Sequence, residues 1–122
     1  MNGRVIAAVD DLFFASKIRG TAEQAGVSVE FPRGADALAA SAGGKDVPGL
    51  FVFDLHAARF GDLYALAARL KQDERLRGVP LVGFFSHVHT ELQRRALDAG
   101  FDRVLPRSAF TKRLPEILRG EL

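Results

Sequence analysis

The sequence predicts an α/β fold in which five parallel strands, in the order 2-1-3-4-5, carry helices on both faces. Three observations lead there. The apolar runs Arg4–Val9, Gly49–Leu55 and Leu81–Phe85 have the length and continuity of strands, the latter two of strands buried on both sides. Between them, apolar residues recur at the spacing of helices with one buried face. The connections are short and marked by glycine or proline, so successive strands are joined by right-handed crossovers.

Arg4-Val5-Ile6-Ala7-Ala8-Val9 is the first strand, cut off by Asp10-Asp11. Phe14, Ile18, Ala22 and Ala25 form the inner face of the first helix, and Gly26 stops it. Val27-Ser28-Val29-Glu30-Phe31 alternates in period two, as a half-buried strand near the sheet edge does. Pro32-Arg33-Gly34 turns the chain into a short Ala-rich helix from Ala35 to Ala42, which dissolves in Gly43-Gly44. Pro48-Gly49 opens the central strand, which runs to Asp54-Leu55. Leu63, Leu66, Ala67 and Leu70 are the apolar face of the third helix, closed by the charged stretch Lys71 to Arg77 and by Gly78.

Val79-Pro80 introduces the fourth strand, which ends on Ser86. Thr90 with Gln93 fits a capping box, and Leu92, Ala96, Leu97 and Ala99 carry the fourth helix to Gly100. Arg103-Val104-Leu105 is a brief fifth strand before Pro106-Arg107-Ser108, and one last helix turns Leu114, Ile117 and Leu118 inward. This is the flavodoxin-like arrangement, whose ligands sit above strands one and three.

The 122 residues suffice for one domain, residues 1–122, with a sizeable core. The absence of cysteine excludes disulfide scaffolds and cysteine-based zinc sites, and makes a reducing cytoplasm the expected location. No apolar run approaches the ~18 residues of a membrane span, and the N-terminus lacks a signal-peptide core. A formal charge of +2, with both signs interleaved, suits an acidic partner surface without demanding nucleic acid.

In this topology the strand ends bring together Asp10 and Asp11, Asp54, Ser86 and Arg107. Three carboxylates in one crevice repel each other, and a hard divalent cation such as Mg²⁺ resolves that repulsion with oxygen ligands. A hydroxyl and a cation facing the cluster suit a tetrahedral anion attached to one carboxylate. The residues thus describe a Mg²⁺-dependent phosphoryl acceptor, with Asp54 as nucleophile and Asp10, Asp11 and Asp54 as metal ligands.

Over essentially the whole chain, the sequence resembles the receiver domain of two-component response regulators. Val9-Asp10-Asp11 is similar to the acidic pair after the first strand, and Phe53-Asp54-Leu55 to the phosphoacceptor. Ser86 falls at the position of the switch Ser/Thr, and Ala99 to Arg107 resembles the run that ends in the family's lysine. The resemblance implies phosphorylation of Asp54 by an upstream histidine kinase or phosphotransfer protein. With no output domain expected, it also implies signalling by docking to another protein through the last two helices, where Arg94, Arg95, Arg103, Lys112 and Arg113 gather.

The departures from the family point to a second reading. Arg107 stands where the family uses Lys, and a planar guanidinium fork pairs bidentately with a carboxylate where an ammonium is a compact point charge. Ser108 replaces the proline that usually follows, Val104 the inward-swinging aromatic, and Ala57-Ala58 the Met-Pro after the phosphoacceptor. The first loop is one residue short, so an ungapped match puts Val9 in the acidic pair. These changes describe a pseudo-receiver, a constitutive protein-binding module in which Arg107 pairs with Asp54 or with Asp10 and Asp11.

Other chemistries fit less well. His56, His87 and His89 fall on loops near Asp54, but histidines two apart suit a single metal poorly. Asp54-Leu55-His56 resembles part of a cobalamin-binding signature, yet it follows the wrong strand and lacks the glycine spacing. A flavin or dinucleotide needs glycines at a helix N-terminus, where this chain has Asp-Asp-Leu-Phe-Phe. Nucleic-acid binding lacks its interleaved exposed aromatics.

Overall fold

The computed structural model describes residues 3–44, 46–86 and 90–122. Five parallel strands form one sheet: β1 (Val5–Ala8), β2 (Val29–Glu30), β3 (Leu50–Asp54), β4 (Leu81–Phe85) and β5 (Arg103–Pro106). Their order is β2-β1-β3-β4-β5, as expected. The helices are α1 (Leu12–Ala25), α2 (Ala35–Ala42), α3 (Leu63–Gln72), α4 (Thr90–Ala99), α5 (Arg107–Lys112) and α6 (Leu114–Leu118). A 3-10 turn, Ala58–Phe60, follows β3. No helix among the described residues is long and apolar enough to cross a membrane.

Period-two alternation divides β3 between two cores. Phe51 and Phe53 face α2, α3 and α4, joining Leu38, Leu66 and Ala96. Leu50 and Val52 face α1, α5 and α6, joining Ile18, Phe110 and Ile117. Asp54 continues the second set, so its side chain emerges on the α1/α5 side of the sheet. Phe14 of α1, Phe84 of β4 and Phe110 of α5 pack together beneath that point. The Phe84 and Phe110 rings stack with centroids 4.5 Å apart, and Phe14 tilts against Phe84 at 4.9 Å.

Three expectations change. The edge strand β2 covers only Val29–Glu30 rather than Val27 to Phe31, because it pairs with β1 over just two residues. The last helix is two helices. Pro115, without an N–H, sits in the first turn of α6, and Arg113 at the joint leaves helical geometry (φ −103°, ψ 12°). Of Leu92, Ala96, Leu97 and Ala99 on α4, Ala96 is buried as expected but Leu97 is exposed.

The base of the sheet is drawn tight where Gly3 and Gly49 cross. A Cβ on Gly49 would meet the Gly3 nitrogen at 2.8 Å and its carbonyl oxygen at 3.1 Å, and neither backbone atom can rotate away. Gly49→Ala should therefore destabilise the fold by roughly 1–3 kcal/mol, seen as a lower urea midpoint. An unchanged midpoint would mean that the two segments separate freely.

Candidate functional site

The carboxyl ends of the strands gather the expected residues at one edge. Asp10 and Asp11 follow β1, Asp54 ends β3, Ser86 follows β4, and Arg107 opens α5 directly after β5. Each acid meets a different environment there.

Asp54 is the one buried charged side chain among the described residues, with 7% of its surface exposed. Its Oδ1 accepts a hydrogen bond from the His56 backbone N–H at 2.9 Å. Burial pushes its carboxyl above the usual range, since the low-dielectric surroundings disfavour the charge. The His56 N–H and the Arg107 guanidinium pull it back, and neighbouring Asp10 adds to the upward push.

Asp11 is the N-cap of α1, where Oδ1 accepts from the Phe13 and Phe14 N–H groups at 2.9 and 3.2 Å. Its Oδ2 takes the Arg107 Nη2 at 3.1 Å. The Phe14 N–H and the Arg107 side chain together hold this carboxyl below its ordinary value. Asp10 lies one residue back, and its Oδ2 accepts from the Arg59 backbone N–H at 3.2 Å, tying the end of β1 to the 3-10 turn.

Arg107 is held on two sides. Its guanidinium lies 4.1 Å from the centre of the Phe14 ring while its tip reaches Asp11. The carboxylate contact expected of Arg107 is thus present, and it falls on Asp11. Asp54 instead bonds locally to His56. Ser86 is exposed at the end of β4, and Val104 is half-buried in β5.

Among the described residues no group of three carboxylates or histidines is close enough to hold a metal. Asp11 is committed to its cap and to Arg107, and Asp10 to the Arg59 N–H. His56 is exposed, while His87 and His89 lie outside the described residues. Of the basic cluster, Arg95 stacks over Tyr64 of α3 at 4.2 Å, and Arg94 and Lys112 remain exposed.

The sequence marks Phe14 only as part of the helix core and signals no role for Arg59. The spacing of Phe14 from Asp11 is what places its ring under Arg107. The Arg59 contact uses only backbone, and no residue type signals it.

The opposite shifts of Asp54 and Asp11 have opposite consequences for stability. Because the folded state holds the Asp54 proton more tightly than the unfolded chain, its contribution is complete below the ordinary carboxylate value. That contribution is lost as pH rises through the raised folded value. Asp54→Asn keeps the acceptor for His56 and removes the buried charge, so it should raise the Tm by a few degrees at pH 7. The gain should shrink toward pH ~4, and equal gains at both pH values would rule out charge burial as its source.

No family model and no curated protein matches this chain. Solved structures do. The receiver domain of NtrX from Brucella abortus superposes with a TM-score of 0.81 at 18% identity, over 97% of each chain. The phosphorylated cyanobacterial phytochrome response regulator RcpA gives 0.77 at 17% identity, over 98% of this chain and 91% of its own. The Mn²⁺-bound form of response regulator Rcp1 gives 0.75 at 17%, over 97% and 90%. This chain therefore has the receiver-domain fold of the two-component response regulators.

Proposed function

We propose that this chain is a phosphorelay signalling module in which Asp54 accepts a phosphoryl group and the folded domain signals by docking to a protein partner. The observation that carries this reading is the position of Asp54. It is buried at the carboxyl end of the central strand, on the α1/α5 side where Asp10, Asp11 and Arg107 converge. Asp54 Oδ1 is occupied by the His56 N–H, which leaves Oδ2 to attack. A bond forms from Oδ2 to the donor's phosphorus as the donor's bond to that phosphorus breaks, and the leaving group keeps the electron pair. The only chemistry assigned to the chain is this transfer to itself. The upstream partner would be a histidine kinase or phosphotransfer protein, and the exposed basic residues Arg94 and Lys112 on α4 and α5 suit an acidic downstream surface.

The Arg107–Asp11 pair favours a second reading, a constitutive binding module. A guanidinium bonded to Asp11 neutralises negative charge that would otherwise draw a divalent cation.

Two measurements separate these readings. Incubation with Mg²⁺ and a small phosphodonor, followed by intact mass, should show one added phosphoryl group on the parent and none on Asp54→Asn. Modification at another residue would move the acceptor, and no modification under donor excess would leave the constitutive module. Arg107→Lys should release Asp11 and increase Mg²⁺ affinity or phosphoryl uptake. If the Lys variant matches the parent in both, Arg107 does not restrain the site.

A further inference from the structure

On the β2 side of the Asp54 crevice a separate cleft opens between the start of α1, the β2–α2 loop and the 3-10 turn. Its charged lining is Arg19, Arg33, Arg59 and a single carboxylate, Asp10. Three positive charges against one negative leave +2 in this one place, as much as the formal charge of the whole chain.

Four basic side chains elsewhere are matched: Arg4 with Glu30, Lys71 with Asp102, Arg107 with Asp11 and Arg119 with Glu121. Arg33 and Arg59 have no carboxylate partner among the described residues, and both are exposed. Arg19 is used differently, its guanidinium lying 4.7 Å from the centre of the Phe31 ring. The rest of the wall is apolar, made by Phe31, Pro32 and Leu12, and Leu12 is 85% exposed.

Two unmatched guanidinium forks suit phosphate oxygens, which they can bind bidentately. An aromatic ring with a stacked guanidinium suits a flat, weakly polar ring system. The Asp10 carboxylate keeps one oxygen, Oδ1, to accept from a ligand hydroxyl or amino group, since Oδ2 is used by the Arg59 N–H. Both features line one concavity rather than a flat face, which favours a small ligand over a protein surface.

We propose that this cleft binds a phosphorylated small molecule with a planar ring. Its phosphates meet Arg33 and Arg59, and its ring lies along the Phe31–Pro32 wall. The site borders the phosphoacceptor crevice only at Asp10 and does not require that Asp54 be phosphorylated.

The test is an amide NMR titration of the whole chain with ADP, pyrophosphate and adenosine, alongside a polyglutamate peptide. ADP should shift the resonances of Arg19, Arg33 and Arg59 in a saturable way, with pyrophosphate weaker and adenosine weaker still. The double variant Arg33→Ala/Arg59→Ala should lose about tenfold or more in ADP affinity while keeping the parent's dispersed spectrum. Asp54→Asn should bind ADP like the parent even if the phosphoacceptor reading fails. No perturbation by millimolar ADP, or a double variant that binds like the parent, would overturn the proposal. Equal affinity for ADP and pyrophosphate would remove the ring from it. Tighter binding of polyglutamate would make the cleft a protein-docking surface instead.

Discussion

Four paired residues hold β1 beside β3, from Val5 opposite Leu50 to Ala8 opposite Phe53, and the site depends on that register. It carries Asp10 and Asp11 just past the strand, level with the end of β3. At the opposite end, Gly3 and Gly49 approach too closely for any side chain, which pins the pairing from below. A slip of one residue would exchange the two cores and turn Asp54 toward α2, α3 and α4, away from Arg107. The aromatic packing of Phe14, Phe84 and Phe110 rests on the same register, because Phe84 lies opposite Asp54.

Most of the fold was legible because its signals are local. The α2 boundaries, the buried face of α3 and the Gly26 stop follow from spacing and residue type and the structure reproduces them, while α1 buries Ala15 in place of Ala25 beside Phe14, Ile18 and Ala22. The break between α5 and α6 escapes that reading: Pro115 stands inside the apolar pattern, but the inward spacing of Leu114, Ile117 and Leu118 hides it. Other features depend on partners distant in sequence. Lys71 reads as one charge in a solvated stretch, but its Nζ donates to the Val79 carbonyl and to Asp102, which also accepts the Leu81 N–H. These contacts bring the starts of β4 and β5 together, and neither residue type nor spacing announces them.

At the site, the sequence located the acids and Arg107 but could not assign their partners. Adjacent strand ends are enough to predict convergence. Which carboxylate receives the guanidinium depends on what else that group rests against, and stacking on the Phe14 ring leaves its tip at Asp11. The same Asp11 closes the first turn of α1, so one side chain serves both the helix start and the arginine. Asp54, left with a backbone donor and little water, is held toward the neutral form, while Asp11 nearby is held ionised. Two neighbouring carboxylates are thereby given opposite electrostatic characters by burial and hydrogen bonding alone.

The division of the last helix reaches back to that arginine. Segments of six and five residues are too short to persist alone in water, where helices shorter than roughly 12 residues are marginal. They hold because Phe110, Leu114, Ile117 and Leu118 are buried against the sheet and α1. Their helical state and their docking on the sheet therefore form together. Arg107 is the first residue of α5, so loss of that docking would withdraw the guanidinium from Asp11. The pairing of Arg107 with Asp11 is in this way tied to the docking of α5 and α6 against the sheet.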